Sequence, residues 1–159
     1  MKTWYPALLG LFLLSATALA QARDDDRRTW RIDNKGADAR LWFGSTNAED
    51  ISISFTCVKG RGVVQVFMSE TDAKLKSGRS VPGTLVAGGA TLKMQGRAEI
   101  NEEAGSPSFE ATLPLSESFF AAMSKASTLV IVTGPSSDKV SLRELGDKGS
   151  KFSQACRKR

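Results

Sequence analysis

One seven-residue run, Ile51-Ser52-Ile53-Ser54-Phe55-Thr56-Cys57, constrains this chain more than any other. Every second residue is apolar and every intervening one carries a hydroxyl. A helix would scatter both sets around its circumference, whereas a pleated strand sends them to opposite faces. The run therefore predicts an antiparallel strand with one face on a core and one in water. It also carries Cys57 on the core side, and the chain has one other cysteine, Cys156.

The neighbouring segments share that period. Trp30-Arg31-Ile32 and Ala39-Arg40-Leu41-Trp42-Phe43 read as short strands divided by the turn Asp33-Asn34-Lys35-Gly36. Lys59-Gly60-Arg61-Gly62 turns the chain into Val63-Val64-Gln65-Val66-Phe67-Met68, which predicts a hairpin. Thr84–Ala87 and Ala90–Met94 flank Gly88-Gly89, a second hairpin turn. Arg97–Ile100 and Phe109–Leu113 flank a polar loop, with Pro82 and Pro114 expected at strand margins. Ser116 then offers an N-cap to a helix with Glu117 in its first turn, Phe119, Phe120, Met123 and Ala126 along one face, and Lys125 near its end. Thr128-Leu129-Val130-Ile131-Val132-Thr133 reads as a buried central strand, Gly134–Asp138 as a turn and Val140–Leu142 as a strand. Residues 148–156 read as a short helix or irregular tail. Residues 30–159 are thus expected to be one mainly β (α+β) domain: an antiparallel β-sandwich or barrel-like sheet, one late helix and a short C-terminal helix.

The first residues set the compartment. Lys2 precedes the apolar run Ala7–Leu14, and Ala18-Leu19-Ala20 fits a signal-peptidase site, so residues 1–20 read as a cleaved signal peptide. A membrane anchor is the alternative, but Ser15 and Thr17 interrupt the stretch and it falls short of the ~20 apolar residues a bilayer needs. Residues 21–29 are expected to be a flexible polar arm, with no transmembrane span after cleavage. The protein would be periplasmic or secreted, and in that oxidising setting Cys57 and Cys156 are expected to form a disulfide. Closing so long a loop contributes up to about 4–5 kcal/mol in the chain-entropy model.

Composition removes several chemistries. The 159 residues include no His, and the sole Tyr is Tyr5 in the signal peptide. Imidazole acid–base catalysis, Ser-His-Asp or Cys-His sites and imidazole-ligated metals are therefore excluded within this chain. Ser136-Ser137-Asp138-Lys139 matches Ser-x-x-Lys in form but sits in an expected turn without a Lys-Thr-Gly companion. Gly60-Arg61-Gly62 does not open a helix as a phosphate loop would. Asp24-Asp25-Asp26 lacks the Gly and distal Glu of a calcium loop. Glu49-Asp50 and Glu102-Glu103 are sequence neighbours in loops, whereas glycosidase carboxylates face each other across a cleft. Trp30, Trp42 and Phe43 are the candidate sugar platforms, with core packing the competing use of at least one. No catalytic residue, cofactor or metal site is expected.

The last 21 residues contain seven basic residues against Glu144 and Asp147, a balance of +5, equal to the whole chain's formal net charge. Lys148, Lys151, Arg157, Lys158 and Arg159 are the candidate anion-binding residues, with a solvated tail as the alternative. Export and the lack of interleaved aromatics apart from Phe152 make nucleic acid a poor match.

Leu113-Pro114-Leu115, Phe119-Phe120-Ala121-Ala122, Leu129-Val130-Ile131-Val132, Val140–Gly146 and Phe152-x-x-x-Cys156 together resemble small secreted proteins of Gram-negative bacteria of the invasion-associated locus B-like kind. The resemblance covers roughly the last third and implies an exported β-rich accessory protein without a defined enzymatic role. The expected function is a non-enzymatic envelope accessory or binding protein contacting an anionic envelope component or another protein. The alternative is a small carboxylate-dependent hydrolase acting on envelope glycans.

Overall fold

The alternation at Ile51–Cys57 becomes the third strand of a nine-stranded antiparallel sheet in a computed structural model that describes residues 28–45, 50–69, 71, 75–100 and 107–159. The expected signal peptide and most of the expected arm lie outside the described residues. The strands are β1 (Thr29–Asp33), β2 (Asp38–Gly44), β3 (Ile51–Val58), β4 (Val63–Met68), β5 (Ser80–Ala87), β6 (Ala90–Glu99), β7 (Ser108–Pro114), β8 (Thr128–Thr133) and β9 (Ser136–Ser141). Two helices follow the same chain order, α1 (Glu117–Met123) after β7 and α2 (Lys148–Cys156) after β9.

The sheet order β1-β2-β3-β4-β7-β6-β5-β8-β9 keeps every described strand in one sheet, so the barrel-like alternative holds, and among the described residues there is no second sheet to make a sandwich. The first four strands meander. The chain then crosses to β5 and meanders back, so that β7 pairs with β4 and β8 with β5. The sheet curls into a half-barrel until its edges β1 and β9 face each other. The indole N–H of Trp30 donates to the carbonyl of Ser141 at 2.8 Å across that gap, which satisfies the polar atom of a ring only 1% exposed.

Inside the curl lie Leu41, Ile53, Phe55, Val66, Met68, Leu85, Phe109 and Leu129, all essentially inaccessible. α1 packs against β5 and β6, α2 against β1 and β2, and the helices pack on each other. Phe120 joins the layers: its ring meets Phe55 edge-on at 5.2 Å, Phe119 at 5.9 Å and Phe152 at 5.1 Å. Gly96 makes room for Phe109, because a Cβ there would lie 2.4 Å from that ring and 2.4 Å from the Glu110 carbonyl.

Several sequence expectations change in physical detail. Ala90–Met94 and Arg97–Glu99 fall in one ten-residue strand, β6, with Ile100 just beyond its end, since Gly96 spares Phe109 without breaking the ladder. Pro82 lies inside β5 and not at its margin. Its carbonyl accepts from Gly134 beyond the last β5–β8 rung, so its missing N–H falls where that ladder has ended. Thr128–Thr133 is next to the sheet edge and alternates between half-buried and buried, so it is not a central strand buried on both faces. The expected turn over 134–138 shrinks to Gly134-Pro135, and β9 begins at Ser136. Ser54 is buried although its face was expected in water, because Trp42 and Phe67 flank it on the same rung. Ser116 precedes α1, but its hydroxyl contacts the Ser118 hydroxyl at 3.3 Å and makes no capping bond.

Candidate functional site

The basic C-terminus does not hang free. Cys57 at the end of β3 and Cys156 at the end of α2 are bridged, with Cα atoms 5.8 Å apart. Three backbone hydrogen bonds also stitch the tail to the turn between β3 and β4. Gly60 and Gly62 adopt left-handed φ values of 76° and 69°, and their N–H groups donate to the carbonyls of Ala155 and Cys156 at 3.2 and 2.9 Å. The Arg159 N–H donates back to the Gly60 carbonyl at 3.4 Å. Residues with a Cβ disfavour that conformation, so the glycines of the hairpin turn also build the docking strip for the tail.

This arrangement separates the five candidate anion-binding residues into two groups. Lys148 and Lys151 sit at the start of α2, about 12 Å of helix rise from Cys156 for Lys148. Each is engaged locally: Lys148 Nζ donates to the Glu144 carbonyl at 2.6 Å, and Lys151 pairs with Asp147 at 2.8 Å. The hydrogen bond and charge of Lys151 hold the Asp147 carboxyl below its ordinary range. Arg157, Lys158 and Arg159 gather at the opposite end, against the turn. Arg157 pairs with Glu117 at the start of α1, both partners about half exposed, a pairing worth about 0–1 kcal/mol and readily exchanged for another anion.

The turn itself adds two cations that the tail count overlooked. Lys59 Nζ donates to the carbonyls of Asn34 and Gly36, the second at 2.8 Å, and Arg61 is exposed beside the tail. The signal was available: a Cys57–Cys156 bridge places the residues just after Cys57 beside those just after Cys156. Five cationic residues are thus gathered at this end of the sheet by backbone bonds and the bridge, with Asp38 and Glu117 among the nearby carboxylates.

Two other hollows bear on the hydrolase alternative. The larger, about 590 Å³, lies on the outer sheet face and is lined by Gln65, Phe67, Gln95, Arg97, Glu99 and Glu110 among others. Glu99 and Glu110 come from different strands and share a face, but Glu110 stands directly across from Arg97 and is exposed. A general acid needs an apolar surrounding that keeps its proton, and this open face does not supply one. The second, about 420 Å³, lies in the gap between β1 and β9, where Arg28 is tied to Asp50 at 2.9 Å. Glu49, Glu102, Glu103 and Asp24–Asp26 lie outside the described residues.

The sequence-selected aromatics divide as well. Trp30 is core, with Phe43 tilted against it at 5.6 Å. Trp42 stays on the outer face with the Arg40 guanidinium 5.4 Å from its ring centre, which occupies one side of any sugar platform. Ser136 and Lys139 are three apart on strand β9 and so point to opposite faces, which prevents a Ser–Lys pair. Among the described residues no three potential ligands from His, Cys, Asp and Glu cluster, and no helix is long and apolar enough to cross a membrane.

No protein family and no curated protein matches this chain. Among solved structures it is similar to the crystal structure of invasion associated protein B from Bartonella henselae. The two are 10% identical with a TM-score of 0.47, over 80% of this chain and 92% of that one. A likeness of this size carries no functional residue across.

Proposed function

We propose that this is an exported, non-enzymatic accessory protein of the bacterial envelope that binds anionic surfaces through the end of the half-barrel carrying the disulfide. One observation carries the reading: the bridge and the Gly60 and Gly62 contacts hold Arg157, Lys158 and Arg159 beside Lys59 and Arg61. A loose tail would spread its charge through solvent, whereas this one presents a fixed positive field. The disulfide and the N-terminal pattern both support export, and the protein would act in the periplasm or after secretion.

Intact-mass measurement of the exported protein should show a mature chain beginning at Gln21 with no free thiol. Retention of Met1 in the soluble exported product would overturn the cleavage.

The combined variant Arg157→Gln, Lys158→Gln, Arg159→Gln should fold as the parent does, because all three side chains are exposed. At about 1 kcal/mol per basic residue near an anionic bilayer, its partitioning onto phosphatidylglycerol vesicles at low salt should fall by about 100-fold. Raising the salt should weaken parent binding steeply. Equal retention of parent and variant would refute the role of this end.

A further inference from the structure

The basic end also carries an apolar edge that the core does not use. Among the described residues, the large hydrophobic side chains left exposed are Val58 at 53%, Val63 at 43% and Ile100. Val58 and Val63 are the last residue of β3 and the first of β4, flanking the turn that holds Lys59 and Arg61. The last β3–β4 pair is Thr56 with Gln65, and the same register continued by two residues brings Val58 across from Val63, where both line one hollow. Val63 in turn stands opposite Pro114 of β7, itself exposed. Three neighbouring strands therefore end in an apolar row, Val58, Val63 and Pro114, while the next row on the same face, two residues along, is polar: Thr56, Gln65 and Thr112. A hollow of about 180 Å³ opens there, lined by Val58, Val63, Arg61 and Asp38 among others.

Resting on the anionic-surface reading above, we infer that the occupant of this edge is the lipid bilayer itself: the β3–β4 end seats Val58, Val63 and Pro114 among headgroups while the surrounding cations pair with lipid phosphates. Charge complementarity selects this occupant. The apolar row is bordered by Lys59 and Arg61 from the turn and by Lys158 and Arg159 from the docked tail, with Asp38 the carboxylate on the β2 side and Glu117 already opposed by Arg157. An acidic soluble polymer would use the cations and leave the valines in water. A bilayer uses both, because apolar side chains enter the headgroup region while Lys and Arg remain at the phosphate level.

The test compares vesicles of phosphatidylglycerol and phosphatidylethanolamine with a soluble polyanion, heparin, using the full disulfide-bonded mature chain. The variant Val58→Thr, Val63→Thr keeps β-branched shape at both positions and touches no buried residue. It should bind the vesicles about tenfold more weakly and elute from heparin at the same salt concentration as the parent. A separate Val63→Trp variant should show a blue shift in emission when the vesicles are added and none with heparin. If the parent binds both supports, the threonine variant matches it on vesicles and the introduced indole does not shift, bilayer seating is overturned while charge-based binding stands. If the parent binds neither support at low salt, the anionic-surface reading falls and this inference with it.

Discussion

Converting both Cys57 and Cys156 to alanine will lower the unfolding free energy by about 4 kcal/mol, because the bridge closes a loop across a sequence separation of 99. For a domain of this size that corresponds to a fall in Tm of roughly 12–16 °C. Most of the effect arises in the unfolded chain, which regains the freedom to separate the end of β3 from the end of α2. Urea unfolding should therefore show a larger m for the double variant, since its unfolded state exposes more surface. The functional effect should exceed that of stability alone. Without the bridge, the tail is held to the turn by the Gly60, Gly62 and Arg159 backbone bonds, which lie at the end of the sheet and are open to fraying. Vesicle binding should fall even at temperatures where the variant is fully folded. A stability loss below 1 kcal/mol would show that the tail and turn remain associated in the unfolded chain or that the bridge is strained.

What could be read from the sequence, and what could not, follows the range of each interaction. Period two is a property of a few adjacent residues, so β2, β3, β4 and β7 were legible, as was the helical face of Phe119, Phe120 and Met123. Register between distant strands is not local. Nothing in Gly96 announces that the Phe109 ring needs its space, and nothing in Pro82 announces that a ladder ends beside it. Ser54 shows the same limit, because Trp42 and Phe67 cover it only once their strands have paired with β3. The proposed binding end was half legible. Its tail charges form a dense local run, and the cysteine pair locates them. Lys59 and Arg61 join only through the bridge, and the exposure of Val58 and Val63 depends on where the sheet stops.

The second large effect concerns Phe120, the ring through which the helices reach the sheet. Phe120→Ala should cost about 3–5 kcal/mol, the sum of lost transfer energy and a cavity its neighbours cannot fill. The neighbours are constrained from three directions. Phe55 belongs to a strand paired on both sides, Phe119 precedes it on α1, and Phe152 is carried by α2, whose C-terminal end is bridged to β3. None of these backbones can move inward without breaking ladder or helix bonds, so collapse is limited and the cavity persists. Phe120→Leu should recover more than half of the loss, because it restores much of the volume without the edge-on contact to Phe55. A double-mutant cycle between Phe120 and Phe152 should return a coupling of about 0.5–1.5 kcal/mol, the magnitude expected of an aromatic pair beyond its buried area. Denaturant melts of the parent, the single variants and the double variant supply every term. Were Phe120→Ala to cost less than about 2 kcal/mol, the four-ring cluster would have to be more adaptable than a close-packed core allows, and α2 would then owe its position chiefly to the disulfide.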